Sequence, residues 1–149
     1  MSDTRIVMEI TEVSNSRVRI LLDDGTGFVL YKGERRNYNL REGEQIGTED
    51  YVEIMETVLP KRAKLRALNL LKARSYTQKA LADKLRDGGY PEKILSDAIA
   101  YAASFGYVDD RQYALDFVEY NKEKRSRTWI CNALQKRGVP KEIIQPNQL

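Results

Sequence analysis

The stretch Ser104–Ala114 reads S-F-G-Y-V-D-D-R-Q-Y-A, and its reading decides the fold. An apolar helix end at Phe105-Gly106 is followed by Tyr107-Val108, and Asp109 then stands in position to cap a new helix. The stretch joins two copies of one helical unit. Lys79 to Leu95 reads K-A-L-A-D-K-L-R-D-G-G-Y-P-E-K-I-L, and Thr128 to Ile144 reads T-W-I-C-N-A-L-Q-K-R-G-V-P-K-E-I-I. The copies align without gaps at an offset of 49: Leu81 on Ile130, Leu85 on Leu134, Gly89 on Gly138, Pro91 on Pro140, Ile94 on Ile143. Upstream, Ala67-Leu68 falls on Ala114-Leu115 at an offset of 47. A period of this size marks an array of small helical units.

Working outward, the first unit is expected to hold helices over about 61–73, 77–87 and 91–104. Thr77 caps the second of these and Gly88-Gly89 ends it. The third carries Ile94, Leu95, Ala98, Ile99, Ala102 and Phe105 as one apolar face. The second unit is expected to hold helices at about 110–124 and 127–137 and a further start at Pro140-Lys141, which Pro146 cuts short. With that helix shortened, a frayed C-terminus is expected.

Residues 5 to 30 read instead as strands. Val18, Ile20 and Leu22 alternate with Arg17, Arg19 and Leu21; Asp24-Gly25-Thr26-Gly27 supplies a turn, and Phe28-Val29-Leu30 returns. Ile6, Met8 and Ile10 fit a third strand with the same alternation. A short helix is expected within Tyr31–Leu40, and another from a Thr48 cap through Leu59, with Val52, Met55 and Leu59 on one face. Pro60 either breaks or kinks the helical pattern or opens the next helix at its first position.

The motifs F-G-Y-V-D-D-R-Q-Y-A (105–114), the helix ends L-x3-L-x2-G-G-Y-P (81–91) and L-x3-G-V-P (134–140), and A-L-N-L-L-K-A-R-S-Y-T (67–77) resemble the RecX family, bacterial regulators of the RecA recombinase. The match runs from about Lys61 to Ile144, and residues 6 to 58 resemble the β-containing N-terminal extension of some members. This sequence departs from the family in two places. Members usually have three helical repeats, whereas this chain stops at Leu149 with the second unfinished, and Ala80 stands where Glu is common. The resemblance implies a cytoplasmic regulator lying in the groove of RecA filaments on single-stranded DNA, where it competes with filament functions and promotes disassembly.

Charge is divided along the chain. The net charge of +3 hides 7 Lys/Arg against 12 Asp/Glu in residues 1–60, and 18 against 10 in residues 61–149. Lys61, Arg62, Lys64, Arg66, Lys72, Arg74 and Lys79 occur with no acid among residues 61–79. Lys122, Lys124, Arg125, Arg127, Lys136, Arg137 and Lys141 meet one acid, Glu123. Such clusters favour a polyanion partner such as nucleic acid; a solvated helix face with no partner is the other reading. The residues expected to make contact are Arg74, Lys79, Arg125, Arg127, Lys136 and Arg137.

Enzyme classes find little here. There is no histidine, so His-containing triads and His-metal sites are excluded. Asp109 and Asp110 are neighbours on a helix start and do not share a face, so capping explains them better than paired-carboxylate catalysis. Cys131, the one cysteine, aligns with Ala82, lacks ligand spacing and reads as a packing residue. It excludes an internal disulfide and fits a reducing compartment. Asp24-Gly25-Thr26-Gly27 lacks the G-x4-G-K-[ST] phosphate loop. No signal peptide and no apolar run near 18 residues is present, so a membrane span is not expected.

Tyr113, Phe117 and Tyr120, at i, i+4 and i+7, read as a core stripe, with base stacking as the other use of such a row. Trp129 is either buried or beside a phosphate or partner groove. The third helix of unit one offers Pro91, Glu92, Lys93, Ser96 and Asp97, a poor set for base edges in a negatively charged groove.

The fold expected is therefore mainly α: a small β-rich module over 1–59, a three-helix, helix-turn-helix-like repeat over 60–106 and an incomplete second repeat over 107–149, in a curved array. The function expected is a non-enzymatic regulator of RecA–single-stranded DNA filaments in DNA repair and recombination, without cofactor or metal. The alternative is a helix-turn-helix-like transcription regulator on double-stranded DNA.

Overall fold

A computed structural model describes residues 4–144. The expectations for Pro146 and the last residues lie outside them. The described residues gather into two compact units, one running to Ala63 and including Leu85–Leu95, the other comprising Lys64–Lys84 and the residues from Ser96 onward. The fold is mainly helical with one small antiparallel sheet, as the sequence pattern requires.

In the first unit, strands β1 (Arg5–Glu12), β2 (Arg17–Leu22), β3 (Gly27–Tyr31) and β4 (Gln45–Ile46) form an antiparallel sheet in the order β3-β2-β1-β4. Val18, Ile20, Leu22, Phe28 and Leu30 are buried, in the alternation read from the sequence. The Asp24–Gly27 turn closes the β2–β3 hairpin: the Asp24 carboxylate accepts from the Thr26 N–H at 2.9 Å, and Gly25 takes φ +90°.

The alternation expected for β1 is wrong at its start. Val7 is the buried residue, while Ile6 and Met8 are exposed. A bulge is the cause: Val7 pairs with Leu22 but Glu9 with Leu21, so the extra residue shifts the side-chain register. Strand β4 is too short for any periodicity to reveal. Backbone bonds hold its entry, from the Val7 N–H to the Glu44 carbonyl and from the Gly43 N–H to the Val7 carbonyl.

Helix α1 (Lys32–Asn37) lies in the expected Tyr31–Leu40 segment, its start held by the Glu34 carboxylate accepting from the Tyr31 N–H at 2.9 Å. The next helix starts one residue earlier than expected. Gly47 is its N-cap, and Thr48 is the first residue of α2 (Thr48–Glu53). A π-helical turn follows over Ile54–Val58, and α3 (Leu59–Ala73) continues from it. Pro60 therefore neither breaks the helix nor opens a new one. In the π turn the Leu59 N–H bonds to the Ile54 carbonyl, five residues back. This widening comes just before the proline, whose ring cannot tolerate the tight α spacing to the preceding turn. The widened turn also changes the buried face: Leu59 is buried as expected, but Ile54 is buried with it and Val52 is exposed.

Helices α4 (Gln78–Asp87), α5 (Glu92–Ser104), α6 (Asp110–Asn121), α7 (Arg127–Lys136) and α8 (Lys141–Ile144) follow the repeat. Gly89, Gly106 and Gly138 take φ +87°, +76° and +95° at the ends of α4, α5 and α7. In each case the next residue's N–H reaches back five residues, Tyr90 to Leu85, Tyr107 to Ala102 and Val139 to Leu134. The aligned pairs Leu81/Ile130 and Leu85/Leu134 are all buried. Phe105 departs from the expected face of α5. It is exposed and packs edge-on to Tyr101 and flat on Tyr107. Among the described residues, no helix is long and apolar enough to cross a membrane.

Candidate nucleic-acid interface

The second unit builds its site from helix ends. Ala114, Ile130, Leu134, Val139 and Ile144 form its buried cluster, with Tyr113, Phe117 and Cys131 packed against it. Cys131 is thus a packing residue, as its alignment with Ala82 suggested.

One carboxylate and one hydroxyl tie α4 to α6 and to the end of α7. Asp109 caps α6, accepting from the Gln112 N–H at 3.1 Å. Its neighbour Asp110 turns the other way and accepts from the Gln78 N–H at 2.9 Å, at the first turn of α4. Asp110 is buried, and that burial holds its carboxyl above the ordinary carboxylate range despite the Gln78 bond. The sequence suggested only a local role for Asp110, because nothing local reveals which helix end it reaches. Thr77 caps α4 by accepting from the Ala80 N–H at 3.1 Å, and its hydroxyl donates to the Arg137 carbonyl at 2.6 Å. Gly138 completes the junction. A Cβ there would stand 2.4 Å from the Lys79 Cβ, so only glycine lets these two backbones meet.

This junction places four of the six expected contact residues together. Arg74, Lys79, Lys136 and Arg137 line an open groove of about 580 Å³ with Tyr76 and Tyr113. Lys79 pairs with Asp83 across 3.0 Å, and the Arg74 guanidinium lies 4.6 Å from the centre of the Tyr76 ring. Arg137 donates to the Tyr113 hydroxyl at 2.8 Å and lies 4.8 Å over the Phe117 ring. Arg125 lies 4.5 Å over Trp129. Lys136, Arg137 and Trp129 also line a second groove of about 400 Å³. Arg127 is exposed at the first position of α7 and lines neither groove.

Sequence reasoning missed the aromatic column. Tyr113 stacks on Phe117 at 6.4 Å and Phe117 on Trp129 at 6.2 Å, with the rings within 11° of parallel. The i, i+4 spacing of Tyr113 and Phe117 signals their pairing, but Trp129 joins from another helix. Tyr120, expected in the same core stripe, is 71% exposed and carries Lys124 over its ring. It lies beyond the buried side of α6, whose last residue, Asn121, is buried. The residues 61–79 are also less uniform than their charge suggests. Arg62, in the first unit, is tied to Glu34 at 2.5 Å and lies over Tyr31.

Fold and site together define a tandem helical-repeat protein with an antiparallel sheet module and a basic, aromatic-lined face on its second unit. A family model for "RecX, first three-helix domain" matches residues 63–101. A "Regulatory protein RecX" of Caldanaerobacter subterraneus is 39% identical over 107 residues, covering 71% of this chain and 54% of that protein. One from Clostridium acetobutylicum is 26% identical over 137 residues, covering 92% and 64%. A solved structure titled "Crystal structure of regulatory protein RecX" superposes with a TM-score of 0.58 over 94% of this chain and 70% of that one; at 19% identity the likeness speaks for the fold. The chain belongs to the RecX family. It spans between half and two thirds of the length of the two relatives named here.

Proposed function

We propose that this chain is a non-enzymatic regulator that binds RecA filaments on single-stranded DNA and restrains their activity in DNA repair and recombination. The observation that carries the reading is the groove bearing Arg74, Lys79, Lys136 and Arg137, in a chain of the RecX family. Cations gathered on one face attract the phosphates of a filament or an acidic protein surface beside them. Arg125 and Arg127 extend the positive surface along the start of α7. The repeats over 60–106 and 107–149 are the units through which contacts are distributed, and the cytoplasm is the compartment in which such a filament is met.

The other side chains with catalytic potential have structural tasks: Asp109 and Asp110 cap helices, and Cys131 packs against the core. The duplex-reading alternative draws less support. At the start of α5, Glu92 is held by two bonds to Arg86, at 2.6 and 3.0 Å, so the first turn offered to a groove carries an occupied carboxylate.

The test is direct. RecA ATPase and strand exchange on single-stranded DNA are measured with this chain added. Concentration-dependent slowing of both is expected. Unchanged rates at saturating chain would refute the regulatory reading.

A further inference from the structure

Trp129 is the one tryptophan of the chain, and 40% of it is exposed on α7. A ring of that size usually gains by burial, so its open edge asks for an occupant. Its setting is specific. Phe117 lies parallel to it at 6.2 Å, and Tyr113 continues the column. Tyr113 and Phe117 pack against the buried cluster, and Ser126 caps the start of α7 by accepting from the Trp129 backbone N–H at 3.1 Å. The Phe117 ring on which Trp129 lies is thus fixed by the core, and that stacking orients the indole before anything else packs on it.

Around the ring stand cations. The Arg125 guanidinium lies over Trp129, and Lys136, Arg137 and Asn132 line the adjoining groove. Among the described residues, Arg125, Lys136 and Arg137 form no ion pair; Arg125 and Arg137 rest on ring faces instead. A fixed aromatic face beside uncompensated cations is how proteins hold single strands: the base stacks on the ring and the backbone follows the charges. A duplex keeps its bases stacked on one another and offers no free base face.

Resting on the nucleic-acid reading above, we infer that Trp129 is a stacking platform for an unpaired base of single-stranded DNA, with Arg125, Lys136 and Arg137 receiving the flanking phosphates. The incoming base takes the place of Arg125 over the indole. This exchange is favourable, because base–aromatic stacking outweighs an exposed cation–π contact and the released guanidinium gains a phosphate.

The single tryptophan makes the test clean, since all indole emission comes from Trp129. An oligothymidylate, an abasic strand with the same number of phosphates and a duplex of the same length are titrated separately. The thymine strand is expected to quench the emission. The abasic strand is expected to bind from about fivefold to about 150-fold more weakly, the span that one stacked base contributes, and to leave the emission unchanged. The duplex is expected to leave it unchanged too. Trp129→Tyr should retain most of the preference for thymine, and Trp129→Leu should lose it. Both should keep the wild-type salt slope, since the phosphate contacts remain. Equal binding of thymine and abasic strands without quenching would overturn the platform while leaving the phosphate role intact. Failure of every strand to bind would remove both. Should Trp129→Leu not fold, the wild-type comparison of thymine and abasic strands still decides.

Discussion

Replacing Gly138 with alanine should damage the second unit more than any other single methyl added at a helix-ending glycine there. Two terms contribute. Gly138 has φ +95°, a left-handed conformation that costs a non-glycine residue about 1–2 kcal/mol. The new Cβ would also stand 2.4 Å from the Lys79 Cβ, where carbon atoms prefer about 3.5–4.0 Å. A Cβ cannot swing aside as a side-chain tip can, so α4 and the α7–α8 turn must separate. Such overpacking costs about 1–3 kcal/mol, giving roughly 2–5 kcal/mol in all. Gly106 supplies the control. It has φ +76°, but nothing lies within 4 Å of the Cβ it would gain, so Gly106→Ala should show only the conformational cost. Urea unfolding followed by circular dichroism measures both, provided the slope with denaturant is unchanged. Equal losses for the two variants would refute the close contact between Gly138 and Lys79.

Other outcomes follow from the same junction. Asp109→Ala should lower stability by about 1 kcal/mol through loss of the α6 cap, and Thr77→Ala by about 2 kcal/mol, because it also removes the donor to the Arg137 carbonyl; melting curves that rank the two the other way would contradict these assignments. Asp110 has its carboxyl raised by burial, so the folded state holds its proton more tightly than the unfolded chain, and stability should fall as pH rises through the window just above the ordinary carboxylate range. Asp110→Asn keeps an acceptor for the Gln78 N–H and should flatten that fall, as read from urea midpoints across the window. Binding to single-stranded DNA should weaken with salt at roughly −0.7 in log–log slope for each phosphate held, and a flat response would rule out the phosphate contacts.

Much of this was legible in the sequence where period and spacing carry it. The gapless offset between Leu81/Leu85 and Ile130/Leu134 identified the buried positions of α4 and α7, and Asp109 announced its own cap. Legibility failed where one residue changes the register. The bulge near Met8 exchanged the faces of β1, and the π turn before Pro60 brought Ile54 and Leu59 to the buried side together. It failed also where a side chain acts on a distant helix. Asp110 reaches Gln78, 32 positions away, and Trp129 completes a column begun on α6. Charge counts flagged Arg62 and Arg74 alike, but only the tertiary structure distinguishes a guanidinium tied to Glu34 from one facing the groove.

The proposed restraint of RecA filaments would act through the basic face of the second unit. The most direct test compares wild type with the triple variant Arg74→Glu, Arg125→Glu and Lys136→Glu in RecA strand exchange on single-stranded DNA. Arg137 is left in place because it supports Tyr113 and Phe117. These three positions form no ion pairs among the described residues, so each reversal should change stability within about 0.5 kcal/mol, and circular dichroism should show an intact helical fold. Wild type should slow strand exchange and the folded triple variant should not, since each reversal turns attraction into repulsion. A folded triple variant that inhibits as strongly as wild type would contradict the account.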